Sequence, residues 1–373
     1  MKKIEFLVNK NNITEHEIVE SSIDIDALND GQVMFSIDHF AFTANNITYA
    51  AMGDKLRYWD FFPASDNKGC IPVWGFAEVT ASRCHDIEKG DRFYGYFPMA
   101  THLIVEPSQV RKSSFVDGAS HRSELAFVYN QYLRCSEDPL YREDNEPLQM
   151  LFRPLFTTSF LIDDFLADNN FFGASQIILT SASSKTAISL AYLLQHAKTS
   201  REQSVDIIGL TSKGKVDFVN SLGYYDQTLD YDALDSLGAN EAGNKTSVIV
   251  DFAGNTQLIE NLHRRLAEQL KYTCMVGLSH WEENLNLPKD LPGPKPIMFF
   301  APSQSQKRMK EWGGKKFQSL LEQQWSSFSK SASQWVEIET SFGPKATEVI
   351  FEKILRGEAD PKTGQQVSLF ISE

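Results

Sequence analysis

The chain has 373 residues, of which 42% are hydrophobic and 23% are charged. These proportions are typical of globular proteins and argue against a disordered or fibrous chain. With 36 basic and 49 acidic residues the net charge is −13, which argues against a general role in binding nucleic acid or membranes. No apolar stretch is long enough to span a bilayer, and the first residues lack a signal-peptide pattern. Four scattered cysteines indicate free thiols, so we expect a cytoplasmic protein of about two domains.

The first part of the chain is rich in short strands. Residues 32–42, 70–79 and 101–107 are apolar runs separated by Gly, Pro and Asp. This pattern predicts a compact β-barrel. The polar residues 134–148 are predicted to form an exposed excursion.

The rhythm changes near residue 150, where apolar runs begin to alternate with helical patterns. The runs are 176–183, 204–212, 247–254, 274–279 and 297–302. Such alternation predicts right-handed βαβ units and an α/β fold with a Rossmann-type, doubly wound parallel sheet over residues 152–302. We predict helices at 215–222, ended by Gly223, and over 258–270, with Leu270 on the apolar face.

The C-terminal segment, residues 303–373, contains one clear helix at about 344–356. Pro344 suits the first turn of this helix, and Gly357 suits its end. Val349, Ile350 and Ile354 are predicted to form its inner face.

The first βα turn of a doubly wound sheet usually binds pyrophosphate. Here Ser181, Ser184 and Ala187 occupy the spacing that glycines normally have. Lys185 lies in the first turn of a helix, where a cation opposes the macrodipole unless an anion binds beside it. The alternative is that Lys185 extends into solvent. The predicted phosphate ligands are Ser181, Ser183, Ser184, Lys185, Thr186 and Ala187. A P-loop is rejected, because Leu179 and Ser184 replace its glycines.

The end of the second predicted strand bears on the choice of dinucleotide. NAD-selective sites place an acid there, whereas this chain has Thr211, Ser212, Lys213 and Lys215, with no acid before Asp217. Hydroxyls and lysines suit a 2′-phosphate, so we predict NADP(H) as the cofactor. A solvated polar loop is the alternative.

Several segments resemble the medium-chain dehydrogenase/reductase superfamily, nearest its zinc-free quinone-oxidoreductase-like branch. They follow the family's order over most of the chain: FTANNITYAAMGD (42–54), IPVWGFAEV (71–79), IEKGDRFYGYFP (87–98), SVIVDFAG (247–254) and ADPKTGQQVSL (359–369). The resemblance, to a divergent member, implies a GroES-like catalytic domain formed by residues 1–151 and 303–373, beside the Rossmann-type domain 152–302. It also implies a homodimer.

The chain departs from zinc-dependent members of this superfamily. It has no cysteine between 42 and 54, and Trp74 and Gly75 stand where a His-Glu pair would fall. Tetrahedral zinc needs several nitrogen and sulfur ligands together, and Cys84-His85 is adjacent rather than ligand-spaced. We therefore predict no metal.

The resemblance places Asn45, Thr48, Tyr49 and Thr158 near the nicotinamide, between the two domains. Tyr49 or the Asn45 amide can stabilise negative charge on a carbonyl oxygen, and Tyr49 can deliver a proton. Simpler roles stay open, namely a turn for Asn45, a core position for Tyr49, and capping of a following helix for Thr158 and its neighbour.

Two more sets of residues are candidates for the same cleft. Ala253 and Gly254, after the third predicted strand, would let the cofactor approach the backbone. An aromatic group lines an apolar substrate cleft or belongs to the barrel core: Tyr58, Trp59, Phe61, Phe62 and Trp74.

Two functions therefore stay open. One is a zinc-independent NADP(H)-dependent oxidoreductase that reduces quinones, enones or other conjugated carbonyls of an apolar or aromatic small molecule. The other is a non-catalytic NADP(H)-binding sensor or scaffold, because a fold does not fix a function.

Overall fold

The computed structural model describes residues 1–201, 204–237, 245–276, 288 and 290–371. The chain forms two compact units, the first comprising Met1–Arg153 with Val336–Glu373 and the second Pro154–Trp335. No helix among the described residues combines the length and the apolar character needed to cross a membrane.

The first unit is built on β-strands. They are β1 (Lys2–Asn9), β2 (Asn12–Ser22), β3 (Val33–Phe42), β4 (Lys68–Cys70), β5 (Pro72–Ser82), β6 (Arg92–Pro98), β7 (His102–Val105), β8 (Pro107–Ser108), β9 (Ser114–Asp117), β10 (Gln131–Arg134), β17 (Glu337–Phe342) and β18 (Thr363–Ser368). Among the described residues they form a three-stranded sheet, β2-β1-β4, and a nine-stranded sheet, β17-β18-β3-β5-β6-β10-β9-β8, with β7 paired to β3. The short strands predicted at 32–42, 70–79 and 101–107 are confirmed as β3, β5 and β7.

An aromatic core fills this barrel. The ring of Phe35 lies 5.6 Å from that of Phe93 and 5.7 Å from that of Phe97. Buried rings of this size contribute most of the apolar area of a core. The exposed excursion predicted at 134–148 is only partly correct, because Cys135, Leu140 and other side chains within it are buried.

The helices associated with the first unit are α1 (Ala44–Ala51) and α8 (Pro344–Leu355), and α2 (Glu146–Asp168) begins in it. The predicted tail helix is confirmed as α8, but its predicted inner face is wrong at Val349, which is 60% exposed. Thr347, Ile350, Phe351 and Ile354 are buried instead, at the i, i+3, i+4, i+7 spacing of one helix face.

The second unit holds a parallel sheet of six strands among the described residues, in the order β13-β12-β11-β14-β15-β16. The strands are β11 (Gln176–Leu179), β12 (Asp206–Thr211), β13 (Gln227–Asp230), β14 (Ser247–Asp251), β15 (Leu270–Met275) and β16 (Ile297–Met298). Numbered within the unit, this is the order 3-2-1-4-5-6 of dinucleotide-binding sheets. The fold is therefore α/β, with the predicted Rossmann-type sheet and a GroES-like β-barrel.

The helices of the second unit are α3 (Lys185–Ala197), α4 (Val216–Ser221), α5 (Thr256–Leu266), α6 (Ala301–Trp312) and α7 (Gly314–Ala332). The predicted helix 215–222 is confirmed as α4, and Gly223 follows it with φ +69°. Leu270 was wrongly predicted in a helix: α5 ends at Leu266, and Leu270 begins β15. Of the predicted strand 274–279, residues 277–279 lie outside the described residues.

The predicted strand 297–302 is too long, because α6 begins at Ala301 with a proline in its first turn. The second unit continues to Trp335, whereas the Rossmann-type domain was predicted to end at residue 302. Packing explains this extent, since the α7 ring of Phe328 stacks 4.9 Å from Phe156, and the Ser327 hydroxyl lies 2.7 Å from that of Tyr192 on α3. Whether these units are functional domains stays a prediction.

Candidate active site

The turn after β11 has one residue in the left-handed conformation that is typical of glycine, although it contains no glycine. Ser181 has φ +50°, in the left-handed region where a side chain costs about 1–2 kcal/mol. The Ser184 amide donates to the Ser181 carbonyl at 2.7 Å, and the Tyr231 hydroxyl accepts from the Ser181 amide at 3.1 Å. The first of the three glycine-spaced positions thus keeps a conformation that glycine usually supplies.

Helix α3 begins directly after this turn. The Ser184 side chain caps it by accepting from the Ala187 amide at 3.3 Å, and Ala187 is fully buried. Lys185 is the first helical residue and is half-buried, as is Thr186. Ser159 on α2 donates to the Thr186 carbonyl at 2.8 Å and so fixes the first turn. The helix therefore presents its positive end beside a lysine, an arrangement that suits an anion.

The end of the neighbouring strand β12 brings a second group of predicted ligands to the same edge of the sheet. The Thr211 hydroxyl is buried and donates to the Ser183 hydroxyl at 3.2 Å, which leaves the proton of Ser183 available to another acceptor. Ser212 and Lys213 are exposed, and Lys215 is half-buried in the single turn Lys213–Lys215. Of these four residues, Thr211 is engaged in a hydrogen bond inside the protein, whereas Ser212, Lys213 and Lys215 lie next to solvent.

The strands β11 and β14 meet where the strand order reverses, and ligands of such sheets bind at this point. Thr180 donates a 2.5 Å hydrogen bond to the fully buried Asp251. The Ala253 and Gly254 amides donate to the same carboxylate at 3.2 and 3.0 Å. Burial raises the pKa of Asp251. Both predicted amides are therefore bonded to Asp251, and Gly254 has φ +62°.

In the first unit, a capping box sets the position of α1. The Asn46 side chain accepts from the Thr43 amide at 2.8 Å and donates to the Pro72 carbonyl at 2.9 Å, which ties α1 to β5. Asn46 is thus the structural asparagine of the pair. Asn45 is half-buried, and its side chain interacts with Tyr49 one helical turn later. The Thr48 hydroxyl bonds back to the Ala44 carbonyl at 3.4 Å.

Tyr49 lies in what we term the tyrosine cluster, composed of Tyr49, Tyr58, Trp74, Tyr94, Tyr96 and Tyr129. The Tyr49 hydroxyl accepts from the Trp74 indole at 3.3 Å and interacts with that of Tyr129, which lies 3.4 Å from the Tyr58 hydroxyl. Burial raises the pKa of Tyr49. Tyr49 therefore stays protonated at neutral pH and can donate a hydrogen bond.

Of the predicted aromatic group, Phe61, Phe62 and Trp74 contact the ring of Tyr96, and Tyr58 contacts the ring of Phe61. Trp59 does not join them. It is part of the hydrophobic core, where its ring leaves no room for a side chain at Gly53 or Gly69. Neighbouring residues of the short turn Tyr58–Asp60 point in different directions, which separates Trp59 from Tyr58.

Thr157 and Thr158 were predicted to precede a helix, but they lie inside α2. The Thr158 hydroxyl donates to the Pro154 carbonyl one turn earlier at 3.1 Å. The helix continues through Pro154, so this proline does not mark a helix start as such residues often do. Capping is excluded for Thr158, and its predicted contact with a cofactor stays a prediction.

The residues at the positions of the family's zinc ligands do not suit a metal. The Trp74 indole can only donate a hydrogen bond. Gly75 has no side chain, and an added Cβ would lie 2.4 Å from the His39 carbonyl oxygen. Within the described ranges, no cluster of three His, Cys, Asp or Glu side chains is placed to hold a metal ion.

Several residues of these sites escaped the sequence reasoning. Tyr94 and Tyr96 alternate along β6, and this spacing predicts that their side chains lie on the same face of the sheet. No pattern in the sequence around Tyr129 predicts its place beside them. Both buried hydroxyls, of Tyr94 and Tyr96, have no hydrogen-bond partner among the described residues. The fully buried Arg122 lies over the rings of Phe61 and Phe62, and it donates to the Phe61 carbonyl at 3.2 Å and to Asp117 at 2.8 Å.

Several solved structures share this fold, a Rossmann-type sheet with a GroES-like β-barrel. CurA from Vibrio vulnificus, solved in complex with NADPH, superposes with a TM-score of 0.62 at 12% identity over 99% of both chains. TarJ from S. aureus, also in complex with NADPH, gives 0.56 at 11% identity over 100% of both chains. The mitochondrial 2-enoyl thioester reductase Etr1p/Etr2p heterodimer from Candida tropicalis gives 0.56 at 11% identity, over 99% of this chain and 100% of that one. Identities this low establish the fold alone.

The chain belongs to the family described as "Protein of unknown function (DUF2855)", whose profile matches residues 40–360. A comparison with curated proteins gave no match.

Proposed function

We propose that this protein is a zinc-independent, NADP(H)-dependent oxidoreductase that reduces a conjugated carbonyl, such as a quinone or an enone, of an apolar or aromatic small molecule. The observation that carries the proposal is the left-handed Ser181 at the carboxyl end of β11. Strained backbone conformations cluster at functional sites, and at this turn the conformation of Ser181 would allow a phosphate to approach the backbone closely. The NADPH bound by CurA and TarJ supports the choice of cofactor.

The residues present suit a dinucleotide. The Ser183 hydroxyl and the first turn of α3 would hold the pyrophosphate, and Lys185 would balance its charge. Ser212, Lys213 and Lys215, beyond β12, would bind the 2′-phosphate. Tyr231 belongs to this proposal as well, because its hydroxyl accepts from the Ser181 amide and keeps its own proton for a phosphate oxygen. Ala253 and Gly254 would leave room for the cofactor beside the backbone. When bound, the dinucleotide supplies the hydride.

Tyr49 and Asn45 would act on the substrate. The Trp74 indole donates to the Tyr49 oxygen, so the phenolic proton points to another acceptor. A carbonyl oxygen that gains negative charge would take this hydrogen bond and a second one from the Asn45 amide. Tyr49 would then deliver its proton. Thr48 and Thr158 would have secondary roles, because both hydroxyls bond to helix carbonyls.

One observation favours a non-catalytic NADP(H) sensor or scaffold as a second candidate. Ser181, Ser184 and Ala187 replace all three glycines of the turn, and weaker phosphate binding is compatible with sensing. Turnover separates the two candidates.

The proposed oligomer is a homodimer formed by the second unit. The strand β16 is one of the two edge strands of the parallel sheet among the described residues, and Ile297 within it and Phe300 after it are 48% and 63% exposed. Exposed sheet edges with apolar side chains readily pair with another chain. Light scattering should give a particle of about twice the mass of 42.2 kDa.

The experiment for the enzymatic proposal follows NADPH oxidation with a panel of quinones and enones. Consumption that saturates with one of them supports the oxidoreductase. NADPH binding without consumption would favour the sensor, and no binding would exclude both.

A further inference from the structure

A cavity of about 430 Å³ opens on the first unit and is lined by none of the residues of the proposed reaction. This volume lies in the range of small-molecule sites. Some of the side chains that line it are charged, and we term these the charged wall; others are apolar.

The charged wall is built around Arg92. Its guanidinium binds both oxygens of Glu146, at 2.6 and 2.7 Å, and also binds Asp38. Two carboxylates therefore share one cation, and Glu143, exposed on the same wall, adds a further negative charge. Because Arg92 is occupied, the wall offers no free cation to an anionic ligand and attracts a positive one.

The sheet is shaped to expose this wall. In β3, Ile37 pairs with Ala77 and His39 with Phe76, so Asp38 between them is the extra residue of a β-bulge. A bulge redirects a side chain at the expense of ladder pairing and recurs beside functional sites. Here it accompanies the contact of Asp38 with Arg92.

The lining also includes large apolar side chains that are exposed to solvent. Phe342 is 43% exposed and Ile371 is 77% exposed, and Phe370 lies beside them. The Phe342 ring meets His39 edge-on at 5.8 Å. Burial lowers the pKa of His39, so its imidazole is neutral at pH 7 and adds no positive charge. Apolar surface next to acids is unsuited to a bare metal ion and suits an organic group.

We propose that this cavity binds a small organic cation, with a primary ammonium group against Asp38, Glu143 and Glu146 and an apolar or aromatic body against Phe342 and Ile371. The ammonium would share the carboxylate oxygens with Arg92. This site is separate from the proposed dinucleotide and carbonyl chemistry and does not depend on it.

The test is calorimetric titration of the full chain with phenethylammonium, compared with its uncharged analogue 2-phenylethanol. We expect saturable binding of one phenethylammonium per chain and binding of the alcohol weaker by at least about fivefold. Glu143→Gln and Phe342→Ala should each weaken the amine by at least about threefold, because one removes charge and the other removes apolar area. Both residues are exposed, so these variants should fold normally.

Glu88→Gln, an exposed carboxylate of the same unit outside the cavity, is the matched control and should leave affinity unchanged. Saturation with NADPH should not change the amine affinity. Absence of saturable binding would overturn the proposal. Equal binding of amine and alcohol, or equal loss in the control and in Glu143→Gln, would overturn it too.

Discussion

The Thr180 hydroxyl and the buried Asp251 carboxylate are joined by a 2.5 Å hydrogen bond at the carboxyl ends of β11 and β14. These two strands flank the point where the order of the parallel sheet reverses. The bond satisfies a carboxylate that would otherwise be costly to bury. It also fixes the floor of the crevice in which we place the dinucleotide.

This pair predicts a pH-dependent stability. Burial raises the pKa of Asp251, so the folded state holds its proton at pH values where the unfolded chain has lost it. Stability from this group is therefore greatest at low pH and is lost as the pH rises from the ordinary value near 3.8 through the raised pKa. Asp251→Asn removes the titrating group. In urea unfolding, the free energy of unfolding of the variant should therefore rise relative to that of the wild type between pH 4 and pH 7. A constant difference over that range would contradict the prediction.

Ser181→Gly should stabilise the protein. Glycine relieves the strain of φ +50°, and part of this gain is offset by the greater freedom of the unfolded chain. We expect a net gain of about 0.5–1 kcal/mol in the free energy of unfolding. Ser333→Gly, at a residue with the right-handed φ of −63°, is the control and should destabilise. A loss of stability in both variants would refute the strain argument.

Lys185→Glu should abolish NADPH binding while the fold remains intact. A carboxylate at the start of α3 interacts favourably with the helix dipole but repels phosphate. Lys315→Glu, the same change in the first turn of α7, should leave NADPH affinity unchanged. Fluorescence titration measures both variants, and retained affinity in Lys185→Glu would argue against the phosphate assignment.

Lys213→Ala should weaken NADPH much more than NADH. Lys213 is exposed just beyond β12, where the 2′-phosphate would lie. Loss of one charged contact to an exposed phosphate should cost about 1 kcal/mol, or about fivefold in affinity. Parallel titrations with the two dinucleotides test this, and an equal effect on both would exclude a role at the 2′-phosphate.

Tyr49→Phe should lower kcat by about 100-fold with little change in NADPH affinity, the range expected for loss of a positioned proton donor. Phenylalanine keeps the ring contacts with Tyr58 and Tyr96 and removes only the hydroxyl. Tyr224→Phe is the control, because it removes a hydroxyl that contacts Ser331 within the second unit, and its kcat should be unchanged. An unchanged kcat in Tyr49→Phe would show that Tyr49 is not the proton donor.

The sequence predicted many of the elements whose apolar pattern is strong, although α7 was missed despite the helical spacing of its buried Phe317, Leu321, Trp325 and Phe328. The strands β11, β12, β14, β15 and β16 followed from apolar runs, and α8 followed from the proline and glycine at its ends. The strand β13 was missed because three of its four residues are polar. The helix α6 was missed because its sequence, APSQSQKRMKEW, is almost wholly polar and shows no apolar stripe.

The candidate site was less accessible to sequence reasoning. The turn 181–187 and the lysines after β12 could be located, because strand ends mark them. The tyrosine cluster joins residues from 49 to 129, and only the packing of β5, β6 and α1 brings them together. The bond between Thr180 and Asp251 likewise depends on the pairing of β11 with β14.

Calorimetric titration of the full chain with NADPH, with NADH as the comparison, tests the proposed dinucleotide site most directly. We expect saturable binding of one NADPH per chain that is tighter than that of NADH. At about 100 times the dissociation constant, NADPH should stabilise the protein against unfolding by about 2.7 kcal/mol. Absence of heat and of stabilisation at millimolar NADPH would show that the turn after β11 holds no dinucleotide.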